Sequence, residues 1–74
     1  MDFEKTVIEV LSRMGSGKGI AHSEELLFAE VIKSIKNGVG FQNEIKCAIT
    51  SLVSKGVIVH DSKMPAWIYL KNKD

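Results

Sequence analysis

The stretch from Asn43 to Leu70 constrains the fold more than any other part of the sequence. Apolar residues first recur at the i, i+3, i+4, i+7 spacing of one helix face, at Ile45, Ala48, Ile49 and Leu52. After Lys55-Gly56 the β-branched run 57–59 and the apolar run 67–70 flank a polar turn, which is the pattern of a β-hairpin. A helix followed by such a hairpin is the order in which a winged helix-turn-helix places its third helix and its wing.

Two more amphipathic helices are predicted upstream. The first spans about 2–14, with its apolar stripe at Phe3, Val7, Val10, Leu11 and Met14. The second spans about 23–36, with its stripe at Leu27, Val31, Ile32 and Ile35. Ser23 is expected to cap the second helix, since its hydroxyl can accept a hydrogen bond from a first-turn amide. A very short strand is predicted between these helices at Gly19 to Ala21.

These elements predict one α+β domain over residues 1–74, a small winged helix-turn-helix. Its third helix spans about 41–55 and its wing about 57–70. A chain of 74 residues has room for one small core and none for a separate catalytic domain. No apolar run approaches the ~20 residues that cross a membrane, so no membrane association is expected. The acidic N-terminal sequence and the single cysteine favour an intracellular location, cytoplasmic or nuclear.

The sequence offers no pattern for catalysis, metal binding or a cofactor. Residues 15–19 are rich in glycine, but a phosphate-binding loop needs glycine where Ser12 stands and Ser or Thr where Gly19 stands. Cys47, His22 and His60 are too far apart in sequence to have metal-ligand spacing. An enzyme is therefore the least favoured class of function, and no small-molecule substrate is expected.

The outward side of the third helix is the best candidate for a binding surface. Gln42, Asn43, Lys46 and Thr50 can all donate hydrogen bonds to phosphates or base edges, and none is acidic. From Lys33 onward the lysines outnumber the acidic residues, although the net charge of the chain is only +1. That distribution is compatible with a basic face and equally with an ordinary solvated surface.

The sequence also resembles a known family of winged helices, the Z-alpha domains. The similar residues are Glu44-Ile45, Ser51-Leu52, Lys55-Gly56 and Pro65-Ala66-Trp67, preceded by Gly15 to Lys18 and Ala21-His22. Z-alpha domains bind left-handed Z-DNA or Z-RNA and occur in RNA-editing adenosine deaminases, innate immune sensors and viral proteins. Lys46 and Thr50 stand where that family carries its phosphate-binding asparagine and its tyrosine.

The resemblance implies a double-stranded nucleic acid partner, held by its backbone along the third helix and the wing. The residues expected to form this site are Gln42, Asn43, Lys46, Thr50, Lys63, Pro65 and Trp67. Trp67 is further expected to be largely buried where the second wing strand packs back on the third helix. Two alternatives stay open: a winged helix used as a protein-interaction module, and a small regulator that binds ordinary B-form DNA.

Overall fold

The computed structural model describes residues 2–15 and 21–71. Within these residues there are three α-helices, α1 (Phe3–Arg13), α2 (Glu24–Ser34) and α3 (Gln42–Ser54). A 3-10 helix, Gly38–Phe41, leads into α3, and the three strands are β1 (His22–Ser23), β2 (Ile58–His60) and β3 (Trp67–Leu70). The predicted α+β class is confirmed, and the arrangement is consistent with a small winged helix.

The three strands form one antiparallel sheet in the order β1-β3-β2. His22 of β1 pairs with Ile68, and Ile68 pairs on its other side with His60 of β2. Of the strand predicted at Gly19 to Ala21, Ala21 lies outside any strand, so the prediction is wrong at that residue; Gly19 and Ile20 lie outside the described residues. β1 begins at His22, and this two-residue strand is defined by its pairing with β3 rather than by its own residue types.

Side chains and backbone geometry set the ends of the helices. The Ser23 hydroxyl oxygen accepts a hydrogen bond from the Leu26 amide at 3.0 Å, so the predicted cap of α2 is confirmed. Asp2 caps α1 in the same way, accepting from the Lys5 amide at 3.1 Å. After α3, Gly56 has a φ of 78°, a left-handed conformation that glycine adopts without steric cost.

The core lies where the three helices meet and where the sheet covers one flank. The side chains that are almost completely excluded from solvent are Val7, Leu11, Leu27, Val31, Ile45, Leu52, Ile58 and Ile68. These positions follow the predicted apolar stripes, while Phe3, Met14, Ile32 and Val53 pack at the margin of the core. Burial of the inner side of α3 leaves its opposite side exposed to solvent.

The turn between α2 and α3 is unusually tight. A Cβ atom at Gly38 would lie 2.3 Å from the carbonyl oxygen of Ile32, so no larger residue fits without a backbone shift. Asn37, directly before it, has a φ of 60°, a left-handed conformation that asparagine adopts more readily than most residues. This close approach fixes the direction in which the chain enters α3.

Candidate nucleic-acid interface

The outward face of α3, defined here as Gln42, Asn43, Lys46 and Thr50, is exposed to solvent at every position. Ile45 and Ile49, which alternate with these residues along the helix, are buried in the core. The prediction that the four polar side chains point away from the core is therefore confirmed. Each offers an amide, hydroxyl or ammonium hydrogen-bond donor to a partner.

Lys46 does not extend freely into solvent, because it lies over an aromatic ring of α2. Its ammonium nitrogen is 5.5 Å from the centroid of the Phe28 ring, within the range of a cation–π interaction. Both residues border a groove between the first turns of α2 and the middle of α3, which is lined by Glu24, Glu25, Phe28, Lys46, Ile49 and Thr50. The lining of this groove therefore carries one ammonium group and two carboxylates.

Phe28 lines the groove at the candidate interface and was not predicted from the sequence. It is half-buried and stands beside Leu27, at the margin of the apolar stripe of α2. This position at the edge of the stripe could have indicated its role, since an aromatic residue there can contact a neighbouring helix. Phe28 and Thr50 both line the groove between α2 and α3.

The wing turn, residues 61–66, is held by hydrogen bonds rather than by apolar packing. The Asp61 carboxylate accepts from the amides of Lys63 and Met64, at 2.8 and 3.2 Å. His60 Nδ1 lies 2.6 Å from the Pro65 carbonyl oxygen; because that oxygen can only accept, Nδ1 is the donor. Lys63, Met64 and Pro65 are exposed on this turn.

Trp67 is not buried as expected: 38% of its surface is exposed, so that prediction is wrong. Successive residues of a strand point to opposite faces of the sheet. Ile68, fully buried, takes the face that packs on the helices, and Trp67 therefore takes the other face. The indole ring lies at the surface of the sheet instead of filling the core.

The structure connects the groove and the base of the wing through the first turn of α2. Glu24 borders the groove with Lys46 and Thr50, and its backbone amide donates to the Ala66 carbonyl at 3.1 Å. Ser23 pairs with Trp67 across the sheet. Ser23 and Glu24 thus connect the groove, which Lys46 and Thr50 line, with the strand that carries Trp67.

The remaining predicted residues lie farther apart. Asn43 borders a separate hollow against the start of α1, lined by Asp2, Phe3, Glu4, Asn43, Glu44, Cys47, Ala48 and Ser51. Lys63 and Pro65 form their hydrogen bonds within the wing, and no hydrogen bond or ion pair joins them to α3 in the part of the chain that the structure describes. The seven predicted residues therefore do not form a single hydrogen-bonded cluster.

Carboxylates limit the positive charge near α3. Lys55 Nζ, at the end of α3, lies 2.7 Å from Glu4 Oε1. Lys46 and Lys63 form no ion pair with a described residue, but Glu24 and Glu25 line the groove beside Lys46. Any nucleic acid bound here would meet few unpaired positive charges, which favours a small set of phosphate contacts.

Three further observations concern residues 2–15 and 21–71. No group of three or more His, Cys, Asp or Glu residues in these ranges is arranged to hold a metal ion. Cys47 is an exposed free thiol on α3. Within the same ranges, every helix is too short or too polar to cross a membrane.

Comparison with known proteins gives no significant match to this chain, whether with family models, with curated protein sequences or with solved structures.

Proposed function

We propose that this protein binds double-stranded nucleic acid through the outward face of α3 and the wing, and that it contacts the backbone rather than reading base sequence. The observation that carries this proposal is the outward face itself. The four residues of this face, Gln42, Asn43, Lys46 and Thr50, are exposed, and none of them is acidic. In winged helices the third helix commonly contacts nucleic acid.

The chemistry of these side chains suits phosphate and sugar oxygens. Amides, hydroxyls and ammonium groups are the donors that most often contact the nucleic-acid backbone, and such contacts carry little sequence information. Lys46 would supply the central positive charge, with Lys63 supplying a second from the wing. Two unpaired lysines imply moderate affinity and a shallow salt dependence.

A preference for the left-handed form is the finer part of the proposal and rests on the resemblance to Z-alpha domains. Thr50 lacks the aromatic ring of the family's tyrosine, but the Phe28 ring borders the same groove. Trp67 is exposed, so its indole is accessible for stacking or for apolar contact with a sugar. Phe28 and Trp67 together would provide the aromatic surface of a Z-form site.

A CG-repeat duplex provides the direct test. Circular dichroism of the duplex should invert as protein is added, and the mixture should shift in a native gel at low salt. A mixed-sequence duplex of equal length serves as the control. If both duplexes shift in the gel without spectral inversion, binding to the backbone is supported and the preference for the Z-form is contradicted. If neither duplex shifts, the whole proposal is contradicted.

A protein-interaction module is the second candidate, and specific features favour it. Met64 and Trp67 expose apolar surface around the wing, at 54% and 38%, and Glu24 and Glu25 line the groove beside α3. Exposed apolar residues beside charged ones are typical of interaction surfaces. If this candidate is correct, Trp67→Ala should abolish binding to a protein partner, and the wild-type protein should show no binding to a duplex at low salt.

A further inference from the structure

An ion pair outside the predicted site links the end of α3 to the start of α1. Lys55 Nζ lies 2.7 Å from Glu4 Oε1, and the Ser51 hydroxyl donates to Glu4 Oε2 at 3.5 Å. Both carboxylate oxygens of Glu4 are therefore directed at the last turns of α3. The pair is accessible, since the side chains of Lys55 and Glu4 are 57% and 36% exposed.

Lys55 also borders the surface that continues the outward face of α3. Lys46, Cys47, Thr50, Ser51, Ser54 and Lys55 line one shallow depression along this helix. A backbone lying over Lys46 and Thr50 would therefore pass within reach of the flexible Lys55 side chain. The lysine is correctly placed for a phosphate but is held by a carboxylate.

We infer that Lys55 is a further nucleic-acid contact and that Glu4 restrains it, as an intramolecular competitor of phosphate. This inference rests on the proposed function. A carboxylate and a phosphate oxygen bind the same ammonium group, so one must leave before the other can bind fully. Exposed ion pairs contribute little free energy, so Glu4 weakens the binding of a phosphate to Lys55 without preventing it.

The competition predicts a gain of binding when the Glu4 charge is removed. Glu4→Gln should bind a duplex about 2–5-fold more tightly at low salt, the range expected from the strength of an exposed ion pair. Its affinity should also fall more steeply with salt, by about one unit of slope, because one more phosphate is neutralised. The double variant Glu4→Gln, Lys55→Ala should lose both gains.

Glu30→Gln is the matched control, because it removes the same charge and also releases a lysine, Lys33, but on α2. Binding of the CG-repeat duplex is measured for all variants by fluorescence anisotropy at several salt concentrations, with circular dichroism to check folding. Equal gains for Glu4→Gln and Glu30→Gln, or a gain that persists without Lys55, would overturn the inference while leaving wild-type binding intact. No binding by wild type or Glu4→Gln would overturn the proposed function and this inference with it.

Discussion

The helical core and the wing are stabilised by different interactions. In the core, Leu11, Leu27 and Ile45 are completely buried, and helices far apart in sequence pack on one another. In the wing turn, the contacts of Asp61 and His60 are hydrogen bonds within the turn, and the side chains of residues 62–66 are exposed. The core therefore sets the stability of the protein, whereas the wing turn and the outward face of α3 can change with little effect on folding.

The largest effect is expected from Ile45, on the inner side of α3. Ile45→Ala should lower the free energy of unfolding by about 2–5 kcal/mol, because it removes a fully buried side chain and leaves a cavity. A domain of this size is stable by only about 4–11 kcal/mol, so a large loss of structure on mild heating is expected. Urea denaturation followed by circular dichroism measures the change.

Val39→Ala is the matched control for Ile45→Ala, since Val39 is 68% exposed and should lose less than about 0.5 kcal/mol. Similar losses in the two variants would contradict the position of the core.

The next prediction concerns the tight turn between α2 and α3. Gly38→Ala should destabilise the protein by about 1–3 kcal/mol, because the new Cβ would collide with the Ile32 carbonyl group. Gly40→Ala is the control: no atom lies within 4 Å of a Cβ built at that position, and its φ is not positive. Gly38→Ala should therefore melt at a lower temperature than Gly40→Ala, and equal melting temperatures would mean that the backbone at Gly38 can move away from Ile32 at little cost.

The third prediction compares two neighbours in β3. Trp67→Ala should cost about 1–2 kcal/mol, since the ring is only partly removed from water, whereas Ile68→Ala should cost about 2–5 kcal/mol. Chemical denaturation of both variants checks the order. A larger loss for Trp67→Ala would place the indole in the core and reverse the two faces of the strand.

The smallest effect on folding is expected at Lys46. Lys46→Ala should change the free energy of unfolding by no more than about 1 kcal/mol, the strength of an exposed cation–π contact. Under the proposed function, duplex affinity should fall for all sequences, and the salt slope should become shallower by about one. Lys36→Ala removes the same charge from an exposed position in the turn after α2. An equal loss of affinity in that variant would place Lys46 outside the interface.

The helices could be predicted from the sequence because their signals are local. Apolar residues at helical spacing define the buried sides of α1, α2 and α3. Ser23, whose hydroxyl can cap a helix, indicates the start of α2. The exposure of Gln42 and Thr50 follows from the same periodicity, since residues opposite a buried stripe face solvent.

The features that escaped prediction depend on pairing between distant segments. The run Trp67 to Leu70 is apolar throughout, so it carries no alternation that would reveal which residues face the helices. The contact between Lys46 and Phe28 depends on how α2 packs against α3, and the position of β1 depends on its pairing with β3. Neither packing nor pairing is encoded in the spacing of neighbouring residues.

Chemical-shift mapping can show whether the duplex binds at the outward face of α3 and the wing. Labelled protein is titrated with the CG-repeat duplex at low salt, and backbone amide signals are followed by NMR. We expect the largest shifts at Gln42, Asn43, Lys46 and Thr50 and in the wing from Lys63 to Trp67, while Val10 and Val31 in the core remain unchanged. Shifts confined to surfaces away from α3 and the wing, or no shifts at all, would contradict the proposed interface.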